Sequence, residues 1–242
     1  MEIFNSWLVK DYIAHRGLHN KECPENSLGA FALAIEKGYA IELDVQLISD
    51  GTVVVFHDYS LSRVTGQDGY TKHLTVEQLP SYKLCGTNFS IPTFKEVLDF
   101  IDGQVPILIE IKNETNVGPL ESATYELLKN YNGEYAVQSF NPYSLEWFKK
   151  NAPNVLRGQL SSFFRKENLS FFKKFFLKRL FFNKKISCPH FISYNFKNLP
   201  NIYVSRYKKL PILAWTIRSQ TEYMKAIKHC DNIIFEGFEP KI

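Results

Sequence analysis

Five side chains suited to acid–base and phosphate chemistry lie on or directly after short apolar segments near the start of the chain. His15 and Arg16 end the first segment. Glu42 and Asp44 lie in the second segment, and His57 ends the third. Because side chains alternate along a strand, Glu42 and Asp44 point to the same side. Burying two uncompensated carboxylates is costly, and a divalent cation removes both their repulsion and the cost of burial. The pattern therefore predicts metal-assisted acid–base chemistry.

A third carboxylate is expected to reach the same place from a later strand. In the segment 108–112, Leu-Ile-Glu-Ile-Lys, the alternation puts Glu110 and Lys112 on one face. Three carboxylates from neighbouring strands suit one hard cation, Mg²⁺ or Ca²⁺, better than zinc. The alternative is a metal-free network of buried ion pairs between these acids and the nearby lysine and arginine.

The remaining groups indicate which bond is cleaved. Histidines titrate near neutral pH, so His15 and His57 suit one general acid and one general base. The planar guanidinium of Arg16 matches a phosphate group with two hydrogen bonds. A cation, two histidines and an arginine together favour cleavage of a phosphoester. Asp58 follows His57 directly but is given no catalytic role.

Apolar β-rich segments alternate with segments of helical period along most of the chain. The predicted strands cover 12–15, 40–45, 106–112, 135–140, 155–160, 191–194, 212–216 and 232–236. The predicted helices cover 27–38, 93–102, 119–131, 142–151, 163–182 and 219–229. Eight strand–helix units predict a closed (β/α)₈ TIM barrel, in which functional side chains cluster at the C-terminal ends of the strands. Residues 46–92, with a short strand at 52–56, are predicted to be a small insertion after the second strand.

Length and composition fit one α/β barrel domain over residues 1–242. No signal peptide and no membrane-spanning segment are expected from the apolar runs. Four widely spaced cysteines suggest neither a zinc site nor a disulfide framework. These features predict a protein of the reducing cytoplasm.

Charge is distributed unevenly, which leaves open a second kind of partner. Residues 1–146 carry a net charge of −10, and residues 147–209 carry +14. Within the basic part, the segment 163–182 has paired phenylalanines flanked by lysines and arginines. It is expected either to pack its aromatic face on the sheet or to lie on an anionic membrane surface. Nucleic acid is not expected as a partner, since no recognised binding motif accompanies the charge.

Several short motifs, in their order and spacing, resemble those of the glycerophosphodiester phosphodiesterases. The motifs are His-Arg-Gly at 15–17, Glu-Asn-Ser at 25–27, Glu-Leu-Asp-Val-Gln at 42–46, Ser-Asp-Gly at 49–51, His-Asp at 57–58, Leu-Ser-Arg-Val-Thr-Gly at 61–66, Thr-Val-Glu-Gln-Leu at 75–79, Ile-Pro-Thr-Phe-Lys-Glu-Val-Leu at 91–98 and Glu-Ile-Lys at 110–112. The resemblance is close over about the first 140 residues and then weakens, with traces at 138–140 and 214–217.

The resemblance implies a TIM barrel that hydrolyses glycerophosphodiesters to sn-glycerol 3-phosphate and an alcohol, in lipid and glycerol metabolism. It implies one divalent cation held by Glu42, Asp44 and Glu110, and His15 and His57 as the acid–base pair. Further residues that it implies at the substrate or phosphate are Arg16, Lys112, Glu25 and Asn26. For the last two residues, a loop turn that caps the first helix is an alternative and compatible role.

Two positions near the end of the chain are less clear from the sequence. Glu236 stands where relatives usually have an aspartate, and it is left out of the site. Trp215 either lines the pocket for the glycerol or head group or packs in the barrel core.

A membrane-surface phospholipase or lysophospholipase that uses the same site is the alternative function. A third hypothesis, a catalytically idle barrel used for binding, would require damage to the metal or histidine set.

Overall fold

The computed structural model describes residues 3–113, 116–165 and 169–241. Within them, nine strands form one sheet. The strands are β1 (Ile13–His15), β2 (Ala40–Leu47), β3 (Val53–Val55), β4 (Ile107–Ile111), β5 (Tyr135–Ser139), β6 (Leu156–Ser161), β7 (Phe191–Asn195), β8 (Ile212–Ile217) and β9 (Asn232–Phe235). The α-helices are α1 (Trp7–Lys10), α2 (Leu28–Glu36), α3 (Ser62–Thr65), α4 (Phe94–Ile101), α5 (Pro119–Leu128), α6 (Pro142–Asn151), α7 (Phe171–Lys178) and α8 (Gln220–Ala226).

The strand order confirms the predicted fold class. Along the sheet, hydrogen-bonded neighbours follow the order β1-β9-β8-β7-β6-β5-β4-β2-β3, and β1 also pairs with β2. Eight strands are parallel, and β3 alone pairs antiparallel to β2 among the strands that the structure describes. This order is that of a (β/α)₈ TIM barrel with one short additional strand.

Polar side chains start the helices where the sequence places them. Ser27 caps α2 by accepting a hydrogen bond from the N–H of Ala30. Thr93 and Glu96 form a reciprocal capping box at the start of α4. Asn141 caps α6, whose first residue is Pro142. These caps keep the helices that follow β1, β3 and β5 close to their predicted bounds.

Residues 14–135 form one of two compact units of the chain. Its central strand, β2, is buried over seven of its eight residues and lies between β3 and β4. In the parallel register with β4, Asp44 lies opposite Glu110. The segment predicted as an insertion has an apolar cluster of its own that includes Phe56, Leu61 and Leu84. This cluster supports the loops that follow β2 and β3.

Residues 1–13 together with 136–242 form the other compact unit. Here β6, β7, β8 and β9 pair in parallel and in sequence order. An apolar cluster that includes Leu180, Ile192 and Tyr194 covers part of this sheet. Between β7 and β8 the described chain forms only short 3₁₀ turns, so this connection lacks a long helix, as the sequence pattern predicts.

The prediction of one continuous helix over 163–182 is wrong. Phe164 and Leu180 have positive φ angles of 51° and 55°, and an α-helix cannot continue through that region of backbone conformation. The helix is therefore limited to α7, and its N-cap is Ser170. Lys166, one of the basic residues of the predicted helix, belongs to residues 166–168, which lie outside the described residues.

The large apolar side chains of this segment differ in burial. Phe164 and Leu180 are buried, as packing on the sheet predicts. No residue of α7 is buried, and Phe171 and Phe172 are 74% and 72% exposed. Phe164 and Leu180 thus pack as that alternative predicts, whereas Phe171 and Phe172 do not. Contact with a membrane surface stays a prediction.

We find no helix with the length and apolar composition needed to cross a membrane in the part of the chain that the structure describes.

Candidate active site

Strand β2 holds two of the three predicted metal ligands. Glu42 and Asp44 are two positions apart on it, and both side chains are 1% exposed. Glu110 lies on the neighbouring strand β4, opposite Asp44, and is 8% exposed. One carboxylate oxygen from each of the three residues lies within 4.8 Å of the others. The alternation along β2 places Glu42 and Asp44 on one face, and the register with β4 brings the distant Glu110 to them.

The donor set of this cluster fits a hard divalent cation. All three groups offer carboxylate oxygens, the ligands that Mg²⁺ and Ca²⁺ prefer. The Oδ1 atom of Asp44 is buried and accepts no hydrogen bond from any residue that the structure describes. A buried carboxylate oxygen without a hydrogen bond is costly, and coordination of a cation removes that cost. The Glu-Asp-Glu cluster could therefore bind a metal.

Burial and mutual repulsion act strongly on the cluster. Burial, together with the negative charges of Asp44 and Glu110, holds the pKa of Glu42 well above its usual range. Burial also acts to raise the pKa of Asp44, but the positive charges of His57, Lys112 and Arg16 outweigh it and lower that pKa. Burial and repulsion thus disfavour the charged form of Glu42, whereas cationic neighbours favour the charged form of Asp44.

The end of β1 brings His15 and Arg16 to Glu42. The Nε2 atom of His15 lies 4.0 Å from Oε2 of Glu42. Arg16 has a φ of 57°, and its backbone N–H donates to the same Oε2 at 3.1 Å. A non-glycine residue in this left-handed conformation is uncommon and often marks a functional site. The turn after His15 thus directs the backbone N–H of Arg16 at the buried carboxylate of Glu42.

The Arg16 side chain is held by two acids. Its Nη1 donates to Oε1 of Glu25 at 2.6 Å, and its Nε lies 3.4 Å from Oδ2 of Asp44. The predicted phosphate-binding arginine therefore lies beside the carboxylate cluster, and Glu25 fixes the direction of its guanidinium. Whether it contacts phosphate stays a prediction.

Asn26 contacts the cluster directly. Its side chain is 1% exposed, and its Nδ2 donates to Oδ2 of Asp44 at 3.0 Å. Its backbone N–H donates to the carbonyl of Arg16, and its φ is 57°. The cap of α2 is the neighbouring Ser27. Of the two roles weighed for Asn26, the structure places its side chain at Asp44, while the capping role belongs to Ser27.

Lys112 supplies positive charge between two acids. Its Nζ lies 3.3 Å from Oε1 of Glu110 and 3.7 Å from Oδ1 of Asp44. Burial acts to lower the pKa of Lys112, but the charges of Glu110 and Asp44 outweigh it and raise that pKa. The lysine is thus a permanent cation at the edge of the cluster.

A chain of ion pairs around His57 includes residues to which the sequence assigned no role. Nδ1 of His57 lies 2.5 Å from Oδ1 of Asp58. Arg63, in the single turn of α3, donates to both oxygens of Asp58 and to both oxygens of Glu25. In the sequence, Arg63 is distinguished only as part of the motif at 61–66. Its position five residues after Asp58, in a short helical segment, was a weak signal that it could reach back.

Trp215 lies in the other compact unit, on β8. Its ring packs edge to face on that of Phe140, with centroids 5.6 Å apart. The indole Nε1 is buried and donates to no partner among the described residues. A role in the pocket for the glycerol or head group stays a prediction.

Comparison with known structures defines the class of protein. Over 95% of this chain and 93% of the other, the fold matches a phosphodiesterase of Oleispira antarctica solved with the product sn-glycerol-3-phosphate, with a TM-score of 0.75 at 24% identity. A glycerophosphodiester phosphodiesterase of Thermotoga maritima matches with a TM-score of 0.71 at 27% identity, over 93% of this chain and 94% of that one. The fold is that of TIM-barrel phosphodiesterases.

The sequence defines the family more narrowly. The model of the glycerophosphoryl diester phosphodiesterase family matches residues 15–235, and the chain belongs to this family. A glycerophosphodiester phosphodiesterase of Caldanaerobacter subterraneus subsp. tengcongensis is 41% identical over 159 residues, which cover 61% of this chain and 65% of that protein. The matched stretch is thus slightly less than two thirds of that relative's length.

Proposed function

We propose that this protein hydrolyses glycerophosphodiesters to sn-glycerol 3-phosphate and an alcohol with the help of one divalent cation. The observation that carries the proposal is the cluster of Glu42, Asp44 and Glu110, with His15 beside Glu42. The family to which the chain belongs and the names of its relatives support the substrate class.

Charge balance around the cluster supports a cation of charge +2. Four carboxylates form ion pairs here with three lysine or arginine side chains, and Glu42, beside His15, adds a fifth carboxylate. With all five ionised, the group has an excess of two negative charges over these three cations. The carboxylates are Glu25, Glu42, Asp44, Asp58 and Glu110, and the cations are Arg16, Arg63 and Lys112. Glu42, Asp44 and Glu110 would hold Mg²⁺ or Ca²⁺. When bound, the ion supplies positive charge that stabilises the phosphate oxygens as the bond breaks.

His15 and His57 would be the acid–base pair. One imidazole removes the proton from the attacking oxygen, which belongs to water or to the neighbouring glycerol hydroxyl. The other protonates the leaving alkoxide. The contact of His57 Nδ1 with Asp58 favours the tautomer that carries its proton on Nδ1. In neutral His57, Nε2 is then left to accept a proton, so we assign the base to His57.

Arg16 and Lys112 would bind the phosphate, and Glu25 and Asn26 would hold the surrounding groups in place. Arg16 is oriented by Glu25, and Lys112 lies between Glu110 and Asp44. Both cations therefore adjoin the proposed metal position, where a phosphate oxygen would bind. Asn26 fixes one oxygen of Asp44 through its amide.

The test is a phosphorus NMR assay on a panel of glycerophosphodiesters and lysophospholipids, with Mg²⁺, with Ca²⁺ and with EDTA. We expect sn-glycerol 3-phosphate as the product from diesters, and no turnover in EDTA. The spectra also reveal a cyclic phosphate if the glycerol hydroxyl is the nucleophile. Absence of cleavage across the panel with either metal would contradict the proposal, and full activity in EDTA would contradict the role of the metal.

A lipid substrate at a membrane surface is a second candidate function, and the exposed face around α7 favours it. Phe171, Phe172 and Phe181 are 74%, 72% and 65% exposed. Lys173 is exposed beside them. Exposed aromatic rings with neighbouring lysines suit the interface of an anionic bilayer. We propose that this face brings a protein of the cytoplasm to anionic lipid.

Co-sedimentation with vesicles tests this second candidate. We expect binding to vesicles that contain phosphatidylglycerol, weaker binding at raised salt, and little binding to phosphatidylcholine vesicles. A variant with Phe171→Ser, Phe172→Ser and Phe181→Ser should lose binding but keep its activity on a soluble diester. Equal binding of wild type and variant would contradict the membrane role of this face.

A further inference from the structure

Arg63 joins two carboxylates that each hold a predicted functional side chain. Its Nη1 and Nη2 donate to Oε2 and Oε1 of Glu25 at 2.8 and 2.7 Å. Its Nε and Nη2 donate to Oδ2 and Oδ1 of Asp58 at 2.5 and 3.0 Å. Beyond these acids, Glu25 accepts from Arg16, and Asp58 contacts His57. One guanidinium thus connects the phosphate-binding arginine with the proposed base.

The chemistry of an arginine suits this position. A planar guanidinium can donate two parallel hydrogen bonds to each of two carboxylates, whereas a lysine ammonium acts as a point charge. Burial acts to raise the pKa of Glu25, but hydrogen bonds and positive charge from Arg63 and Arg16 lower it to about 2. The pKa of Asp58 is also about 2, because contacts with Arg63 and His57 outweigh its burial. Both acids are therefore ionised whenever the enzyme works near neutral pH.

Other contacts hold the backbone of this loop without Arg63. The Nε2 atom of Gln46 donates to the carbonyls of Phe56 and Asp58 at 2.8 and 2.9 Å. The hydroxyl of Thr71 donates to the carbonyl of Asp58 at 2.9 Å. The side chain of Arg63 is half exposed. Removing it should therefore free the Glu25 and Asp58 side chains while the loop keeps its path.

We propose that Arg63 is a positioning residue for the diester hydrolysis, acting through Glu25 on Arg16 and through Asp58 on His57. The inference rests on the proposed function, since Arg16 and His57 receive their roles there. Arg63 itself transfers no proton. It keeps the phosphate-binding guanidinium and the imidazole of the base in one mutual arrangement.

The first test compares Arg63→Ala and Arg63→Lys with wild type and with Lys95→Ala. Lys95 is a matched control because it is exposed and forms an ion pair with Asp99 on α4. We expect a loss of kcat/KM of roughly 10- to 100-fold in Arg63→Ala. This is the usual effect of removing a residue that orients a functional side chain through a hydrogen bond. Arg63→Lys should recover little, and Lys95→Ala should match wild type. Wild-type kcat/KM in Arg63→Ala, or full recovery in Arg63→Lys, would overturn the proposal.

Two further measurements separate positioning from a general effect on folding. Guanidinium ion at low concentration should restore part of the activity of Arg63→Ala, and urea at the same concentration should not. The losses from Arg63→Ala and Asp58→Asn should be non-additive in the double variant, because both break the same connection to His57. Fully additive losses without guanidinium rescue would overturn the proposal.

A readout without turnover keeps this inference separate from the proposed function. If wild type cleaves no diester, the proposed function fails, and ¹⁵N NMR of the His57 imidazole still tests the link through Asp58. In Arg63→Ala we expect a changed tautomer pattern or broadening of the His57 signals, with the His73 signals unchanged. Identical His57 spectra in wild type and variant would overturn the role of Arg63.

Discussion

Asp44 and Glu110 lie opposite each other on the adjacent parallel strands β2 and β4, and the Nζ of Lys112 lies within 4.0 Å of both. This cross-strand pair, with Glu42 two residues before Asp44, builds a buried negative site. The cations beside it offset only part of that charge.

Neutralising one of the two acids should remove metal binding. Because each supplies an oxygen to the cluster, Asp44→Asn and Glu110→Gln should each weaken Mg²⁺ or Ca²⁺ binding and lower kcat/KM by at least about 100-fold. Isothermal titration calorimetry and the phosphorus NMR assay measure the two effects. Glu126→Gln is the control, since Glu126 is exposed and forms an ion pair with Lys129. Normal calorimetric binding by Asp44→Asn would contradict the assignment.

Removing either histidine should stop turnover without unfolding the protein. His15→Ala and His57→Ala should each lower kcat by about 10²- to 10⁴-fold, the range for loss of a general acid or base. His73 is exposed and provides a matched control variant, His73→Ala, which should keep wild-type kcat. Circular dichroism and thermal melting check the fold. An active His57→Ala with an unchanged pH profile would disprove the assigned base.

Protonation of Glu25 should make the folded protein less stable in acid. Its pKa is about 2 in the folded protein, against an ordinary value of 4.5, so the folded state favours the ionised form. This contribution is present above pH 4.5 and is lost as pH falls toward about 2. Glu25→Gln should therefore lower the free energy of unfolding by about 1–3 kcal/mol at pH 7 and by much less near pH 2. Urea unfolding at both pH values measures the difference, and an equal loss at both would contradict it.

Asn26 should tolerate glycine better than alanine. Both substitutions remove the hydrogen bond from the side chain of Asn26 to Asp44, but the φ of 57° strains only the alanine. Asn26→Ala should be less stable than Asn26→Gly by about 1 kcal/mol, because the left-handed conformation costs a residue with a Cβ about that much. Chemical unfolding of the two variants gives the comparison. A more stable Asn26→Ala would show that the turn relaxes.

The eight parallel strands and most helices were predictable because their signals are local. Apolar runs of strand length recur between amphipathic segments. Capping residues such as Ser27 and Thr93 directly precede the amphipathic segments and mark where helices begin. The prediction for the segment 163–182 was wrong because its paired phenylalanines follow a helical period throughout. The backbone leaves the helical conformation at Phe164 and Leu180, whose side chains are buried against residues distant in the sequence.

The sequence by itself determined which acids share a strand face and which groups could do acid–base and phosphate chemistry. Alternation is a property of the chain, so Glu42 and Asp44 had to point to one side. Only the tertiary structure decided that Glu110 lies opposite Asp44, that Asn26 donates to Asp44, and that Arg63 bridges Glu25 and Asp58. These contacts depend on strand register and on the turns after β1 and β3, which arise from interactions between residues distant in the sequence.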